Sequence, residues 1–550
     1  MLDDGAPDLT HDSAALARHR PPGIDYDCIV VGAGFGGMYT LHRLRTAGLN
    51  VRVYETGSDV GGTWYWNRYP GARCDIESIQ YSYAFSNELE QEWDWSERYA
   101  PQPEILRYAN HVADRFDLRR DIEFETRVTS AVYDEGNHVW SVTLESGDVR
   151  RCQFLISAVG CLSAANMPEF PGRETFDGQI YHTGHWPHEG VDFTGKRVGV
   201  IGTGSSGIQS IPIIAEQAAS LHVFQRTANF IAPARNRALT DEERAQAKAS
   251  YKALRARAKR RPTGFLFEHN AFSAKDVSDD ERTAIYEHFW RNGGLTFLGA
   301  FNDLLVDRGS NDTAVRFIHA KIRELVDDPE TADLLCPDDI AGCKRLCADT
   351  GYYETYNKPH VHLVDVSKTG ITRLTAEGIV VGDATYPVDA IVCATGFDAM
   401  TGGLLKLNIT GADGLSLAAK WHEGPRSYLG VAVAGFPNLF TVTGPGSPSV
   451  FANMIMCIEQ HAEWITDCVV RCRVAGVSEI AARRDAEDAW VAHNQEVGAL
   501  SLRSQCNSWY LGANVPGKPR VFSPYIGGLP VYTEKLETVA KDNYSGFDTA

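Results

Sequence analysis

The sequence predicts an α/β protein built on two nucleotide-binding βαβ units, with a helical insertion in the second. Three observations predict it. A short apolar run, a glycine-rich turn and a helical pattern succeed one another twice, at residues 25–55 and at 196–229. Both copies share one ruler, since Glu55 follows Gly32 by 23 residues and Gln225 follows Gly202 by 23. Two further apolar strands, QFLISAVG ending at Gly160 and DAIVCATG ending at Gly396, close on Ala-x-Gly, one for each unit. The pattern is that of two Rossmann-like dinucleotide-binding domains.

In the first unit, residues 28–31 form a continuous apolar run, as in a strand buried on both faces of a parallel sheet. GAGFGG follows, with Gly32, Gly34 and Gly37 in the G-x-G-x-x-G places. The first glycine allows the tight turn, the second lets backbone approach a pyrophosphate, and the third lets helix and strand pack closely. The helical pattern of Met38, Leu41 and Leu44 ends at Gly48, a C′ glycine, and a second strand over 51–54 closes on Glu55. A carboxylate there accepts hydrogen bonds from ribose hydroxyls.

The second unit carries Gly202, Gly204 and Gly207 in the same places. Pro212 lies inside its helical pattern and is expected to kink the helix or shift its start. At the ribose position stand neutral Gln225 and then Arg226, and a cation suits a 2′-phosphate that a carboxylate would repel. The first unit is therefore expected to hold FAD and the second NADPH.

Gly32 to Gly160 spans 128 residues and Gly202 to Gly396 spans 194, so the second unit is 66 residues longer. The excess falls within 235–330, where the spacing turns helical and strand signals thin out. The basic run RARAKRR (255–261) reads there as a solvated helix face. The expected plan is an FAD-binding domain over 25–160 and 396–550, and an NADPH-binding domain over 161–234 and 331–395. A helical insertion at 235–330 and a loose polar tail at 1–24 complete it.

Composition narrows the partners. The 550 residues carry 53 basic and 71 acidic side chains, a net charge of −18, which weighs against nucleic acid and against an anionic membrane surface. The N-terminal stretch has no apolar core of a secretory signal, and no run reaches the ~18 apolar residues of a spanning helix. The expectation is a cytoplasmic enzyme, and a monomer is compatible with it. The 12 cysteines are scattered, as in a reducing compartment.

Two dinucleotide units in one chain pass reducing equivalents from NADPH to flavin, and the acceptor decides the chemistry. A disulfide reductase needs a cysteine pair, but Cys74 has no sequence partner. Cys343 and Cys347, with Cys336 upstream, lack typical zinc spacing and read as buried, inert thiols. No metal is expected, and dioxygen becomes the leading acceptor.

Between the units stands FDGQIYHTGHWP, placing Phe176, Gly178, His182, Trp186 and Pro187 in the pattern F-x-G-x-x-x-H-x-x-x-W-P. With GGTWYWNRYPGARCD (61–75), CKRLCADTGYYETYN (343–357), GPGSPSVFANM and NSWYLGANVPGKPR, the chain resembles the Baeyer–Villiger monooxygenases over roughly residues 25–545. The likeness is greatest to the steroid and phenylacetone branch. The resemblance implies that a flavin peroxide attacks a ketone and yields an ester or lactone. It implies a catalytic role for Arg345, with Asp75 holding it. Thr63, Trp64, Trp66, Asp75 and Tyr81 would contact the flavin, and the Val128 backbone its adenine. Arg73 with the turn of Thr203, Gly204, Ser205, Ser206, Gly207, Ile208 and Gln209 would line the NADPH site. Arg226, Thr227 and Lys344 would meet the 2′-phosphate, and Trp509 would close over nicotinamide and substrate. Val450, Phe451 and Met454 would give the ketone pocket an apolar wall suited to a bulky substrate. Two alternatives stand: an N- or S-oxidising flavin monooxygenase, and a flavoprotein with no oxygenase role, either an NADPH oxidase or a redox sensor.

Overall fold

The structure, a computed structural model, describes Leu16 and residues 18–550. Strand β1 (Tyr26–Val31), helix α1 (Phe35–Thr46) and strand β2 (Val51–Tyr54) form the first βαβ unit. β1 lies parallel to β2, with Cys28 opposite Val51, and parallel on its other side to β3 (Val149–Ser157). Cys28, Ile29 and Val30 are fully buried, as an uninterrupted apolar run in a central strand must be. Antiparallel strands Val139–Leu144 and Val128–Asp134 extend the sheet beyond β3, and Ile122–Glu123 extends it beyond β2. Two strands from late in the chain, Ile409–Thr410 and Leu439–Thr441, bring it to eight.

The helix enters β1 through a turn only glycine can make. A Cβ on Gly37 would lie 1.7 Å from the Gly32 carbonyl oxygen, so helix and strand could not approach as they do with any other residue. At the other end Gly48 has φ +89° and donates its N–H to the Arg45 carbonyl at 3.0 Å, closing the helix as expected.

The second unit comprises β4 (Arg197–Ile201), α2 (Ser205–Gln217) and β5 (Ser220–Gln225). It sits in a wholly parallel five-stranded sheet, ordered Val361–Asp365, β5, β4, β6 (Ala390–Cys393) and Gln179–His182. Pro212 does not break or delay α2, contrary to the local expectation. The helix runs through it from Ser205 to Gln217 with Pro212 buried, and burial of that face outweighs one lost hydrogen bond.

Between the two halves of this sheet run helices Asp241–Lys259, Asp279–Asn292, Arg308–Leu325 and Pro329–Leu335. Capping boxes open the first two, Thr240 with Glu243 and Ser278 with Glu281. The basic run is not wholly solvated. Arg255 is buried, pairs with Glu90 at 2.9 Å and donates to Ser82, so it docks the first helix onto the glycine-turn half of the molecule.

Most of the N-terminal tail lies outside the described residues. Its end is not loose: Leu16 is buried, and its carbonyl accepts from Arg473, which also pairs with Asp27 at 3.1 Å. Among the described residues no helix is long and apolar enough to cross a membrane.

Candidate active site

Both glycine turns present unused donors. α1 begins after Gly34 and α2 after Gly204, neither with a side-chain cap, so the first-turn N–H groups keep their hydrogens for a ligand. That is the condition for pyrophosphate at a helix N-terminus. Above Gly204 an added Cβ would meet nothing within 4 Å, so the second turn opens onto free space. The residues fit two dinucleotides.

At the first turn, the buried Glu55 carboxylate accepts from the N–H groups of Ala33 and Gly57, each at 2.7 Å. Burial raises its pKa, and those backbone donors pull it back. The loop holding the next residues is pressed onto the turn: a Cβ on Gly62, at φ +53°, would lie 2.7 Å from the Gly34 Cα. This carries the short helix Thr63–Trp66 to the turn. Trp64 donates its indole N–H to the Tyr81 hydroxyl at 3.1 Å, and the Trp66 ring meets His185 at 5.8 Å. Val128 starts the strand just after Thr126, whose N–H donates to the Glu55 carbonyl at 2.9 Å.

At the second turn, Thr203 donates to the Thr227 carbonyl at 3.0 Å, and Ser205 meets the Cys347 sulfur at 3.2 Å. Gln209 accepts from the Tyr69 hydroxyl at 2.8 Å and donates to the Arg73 carbonyl at 3.1 Å, joining this turn to the 61–75 segment. Ile208 is core. Gln225 turns inward to the Leu334 carbonyl, leaving Arg226 at the strand's end, exposed and without an acidic partner among the described residues. Lys344 lies close enough to feel it. Burial lowers the Lys344 pKa, Asp339 opposes this, and the positive Arg226 adds to it. Two neighbouring cations, with Arg226 exposed at the strand's end, suit a phosphate.

The two halves meet at Arg345. Its Nε and Nη2 donate to the Asp75 carboxylate, the latter at 3.0 Å, and Nη1 donates to the Val450 carbonyl at 2.9 Å. Burial opposes the guanidinium charge, but the Asp75 carboxylate more than compensates and raises its pKa above the usual value. Around it lies an apolar cluster of Val450, Phe451, Met454, Trp509, Tyr510, Met400 and Phe522. Trp509 stacks obliquely on Tyr510 at 4.0 Å, and Tyr510 on Phe451 at 4.4 Å. The structure thus brings Asp75, Arg345, Val450, Phe451, Met454 and Trp509 together from four distant segments.

Two features here have no counterpart in the sequence reading. Arg503 borders the cluster and stands in no motif, while Tyr510 belongs to the cluster and follows Trp509 in NSWYLGANVPGKPR, where the motif gave it no role. Cys343 is not an inert thiol: it forms a disulfide with Cys506, Cα to Cα 5.8 Å, across 163 residues. The pairing is a tertiary fact, invisible to local spacing, while Cys347 stays free and turns to Ser205. His182 is buried. Its Nδ1 accepts from the Gly184 N–H, its Nε2 meets Thr395 at 3.2 Å, and burial lowers its pKa to about 4, so it is a neutral structural link.

Residues 26–237 match the model of the FMO-like flavin-binding monooxygenases. A Baeyer–Villiger monooxygenase of Pseudooceanicola batsensis is 42% identical over 95% of this chain and 96% of its own. The chain belongs to the Baeyer–Villiger monooxygenases. A crystal structure of oxidised steroid monooxygenase bound to NADP superposes with a TM-score of 0.91 at 54% identity, covering 95% of this chain and 99% of the other. A phenazine N-monooxygenase of Lysobacter antibioticus is 43% identical over 95% of this chain and 96% of its own. As a member of this family the chain is an oxidoreductase using FAD and NADP cofactors.

Proposed function

We propose that this Baeyer–Villiger monooxygenase works in the cytoplasm on a ketone with a bulky apolar body, giving an ester or lactone. The Gly32 half (25–160 and 396–550) holds FAD, and the Gly202 half (161–234 and 331–395) holds NADPH. The observation that carries the reading is Arg345, fastened by Asp75 against the Val450–Phe451 wall. When bound, FAD reduced by NADPH would supply activated dioxygen, one oxygen atom going into the ester or lactone and the other to water.

The chain's own residues do the rest. Arg345 stays cationic in a desolvated site and keeps N–H donors beyond those spent on Asp75 and Val450, so it stabilises negative charge on reacting oxygen. Asp75 fixes the direction of the guanidinium. Val450, Phe451, Met454 and Tyr510 exclude water, which strengthens every charge interaction inside. Thr63, Trp64, Trp66 and Tyr81 would hold the flavin, with the Val128 backbone meeting its adenine and Glu55 its ribose. Arg73 and the 203–209 turn receive the nicotinamide nucleotide. Arg226, Thr227 and Lys344 would hold its 2′-phosphate, and Trp509 would close over the nicotinamide.

The test mixes purified protein with NADPH, dioxygen and a panel of ketones, and identifies products. Esters or lactones from bulky apolar ketones support the reading. Turnover confined to small polar ketones overturns the substrate assignment, and hydrogen peroxide with every ketone unchanged overturns the oxygenase. The 43% identity to a phenazine N-monooxygenase favours a second reading, N-oxidation of an aromatic heterocycle. An N-oxide formed while all ketones stay unchanged would select it.

A further inference from the structure

Arg503 lies on the turn Leu502–Gln505 that leads to Trp509, and the proposed mechanism gives it no task. Its Nε donates to the Gly342 carbonyl at 3.0 Å, and its guanidinium carbon stands 4.7 Å from the Phe451 ring centre. Gly342 is in the segment that carries Arg345, and Phe451 follows Val450, which accepts from Arg345. The two guanidiniums therefore share one wall of the ketone pocket. They differ in one respect: Arg345 has Asp75, whereas Arg503 has no carboxylate within ion-pair distance among the described residues.

An uncompensated charge in a partly desolvated site is costly, and a neighbouring like charge makes it more so. Burial and Arg345 both lower the Arg503 pKa, with Tyr510 opposing between them in size, yet a guanidinium remains charged under such pressure. Its Nη1 and Nη2 have no protein acceptor among the described residues, and neither is sealed from solvent. Stacking on Phe451 fixes the plane of the fork but satisfies none of these donors. The anionic groups of NADPH already have partners in the second glycine turn and in the Arg226–Lys344 pair. An anion on the other reactant is the remaining match.

We propose that Arg503 binds a carboxylate carried by the ketone, so that the substrate class is a keto acid with an apolar body between its two functional groups. This rests on the ketone-oxygenating reading above. Phe451 and Met454 take the apolar body, Arg345 attends the reacting end, and Arg503 sets the register between the two.

The experiment compares a long-chain methyl ketone bearing a terminal carboxylate with its own methyl ester, in wild type, Arg503→Met and Arg503→Lys. The readout is the ratio of kcat/KM for acid over ester, which cancels losses in folding or NADPH use. A charge-assisted bidentate contact lowers that ratio by about tenfold or more when removed. The expected result is a wild type favouring the acid, a ratio at least about tenfold lower in Arg503→Met, and an intermediate ratio in Arg503→Lys. A ratio unchanged by Arg503→Met, or a wild type favouring the ester, overturns the inference and leaves ketone oxygenation standing. Peroxide formation with neither compound oxygenated overturns both.

Discussion

Arg345 donates to the Asp75 carboxylate 270 residues upstream and to the Val450 carbonyl 105 residues downstream, so one guanidinium ties three segments of the active site together. Oriented donors are most effective where they need not reorganise as charge develops. Ester formation in Arg345→Ala is expected to fall by at least ~100-fold, and by much more than flavin reduction falls. Arg345→Lys keeps the charge but loses the planar fork on Asp75, and Asp75→Asn keeps the shape but loses the charge. Both are expected between wild type and Arg345→Ala. Stopped-flow reduction and product analysis on the same preparations check this, and an alanine variant making ester near the wild-type rate would remove Arg345 from the mechanism.

In the proposed reading coenzyme choice rests on Arg226 and Lys344, whose positive charges lie close enough to interact. NADH lacks the phosphate that would neutralise them. Arg226→Ala is expected to raise KM for NADPH by about tenfold, the worth of a charge-assisted hydrogen bond, and to leave KM for NADH much less affected. Steady-state kinetics with both coenzymes give the ratio directly. Equal losses with the two would locate the 2′-phosphate elsewhere.

Glu459 gives the protein a pH-dependent stability. It lies in helix Met454–Ala475 and accepts from the N–H groups of Ala84 at 2.6 Å and Phe85 at 3.1 Å. Burial pushes its pKa from 4.5 to about 7, with the Ala84 donor opposing and Glu463 adding to the rise. The folded state therefore holds a proton that the unfolded chain releases above about pH 4.5. Stability from this group is full below that value, declines as pH rises to about 7, and is level beyond. The span amounts to roughly 3 kcal/mol. Glu459→Gln keeps an acceptor for both N–H groups and cannot ionise. Relative to wild type it is expected to gain stability as pH climbs from 4.5 to 7.5. Denaturant midpoints measured across that range test it, and parallel curves would contradict it.

What the sequence made legible divides along physical lines. The glycine turns were readable because Gly32, Gly37 and their equivalents answer local steric demands, such as a Cβ that would strike the Gly32 carbonyl. The encounter of Arg345 with Asp75 has no local signature and was legible only through motifs that resemble a known family. Cys506 had neither kind of signal, because Cys343 is brought to it by tertiary packing alone, and Tyr510, though inside NSWYLGANVPGKPR, drew no role from it. Pro212 and Arg255 show the reverse case. A sound local rule, proline against helix or a basic run against burial, yielded to tertiary context in the form of a packed helix face and the buried Glu90.

The Cys343–Cys506 disulfide bears on the site. Cys343 immediately precedes Lys344 and Arg345, while Cys506 lies three residues before Trp509, so the bond fastens the segment of Trp509 to the segment that carries Arg345. Ile340 and Leu502 bury it. The other ten cysteines are free. Protein unfolded without reductant is therefore expected to titrate ten thiols, and all 12 after reduction. Closing a loop of this length restricts the unfolded chain, so Cys506→Ser is expected to lose about 2–4 kcal/mol of stability relative to the oxidised wild type. Reduction of the wild type should then bring its unfolding curve close to that of the variant. Twelve thiols in the unreduced protein would mean that the pair stands as neighbouring thiols, and the segment of Trp509 would then be held by non-covalent contacts such as Arg503 on the Gly342 carbonyl, Leu502 and Ser501 on the Leu305 carbonyl, and Tyr510 on Phe451.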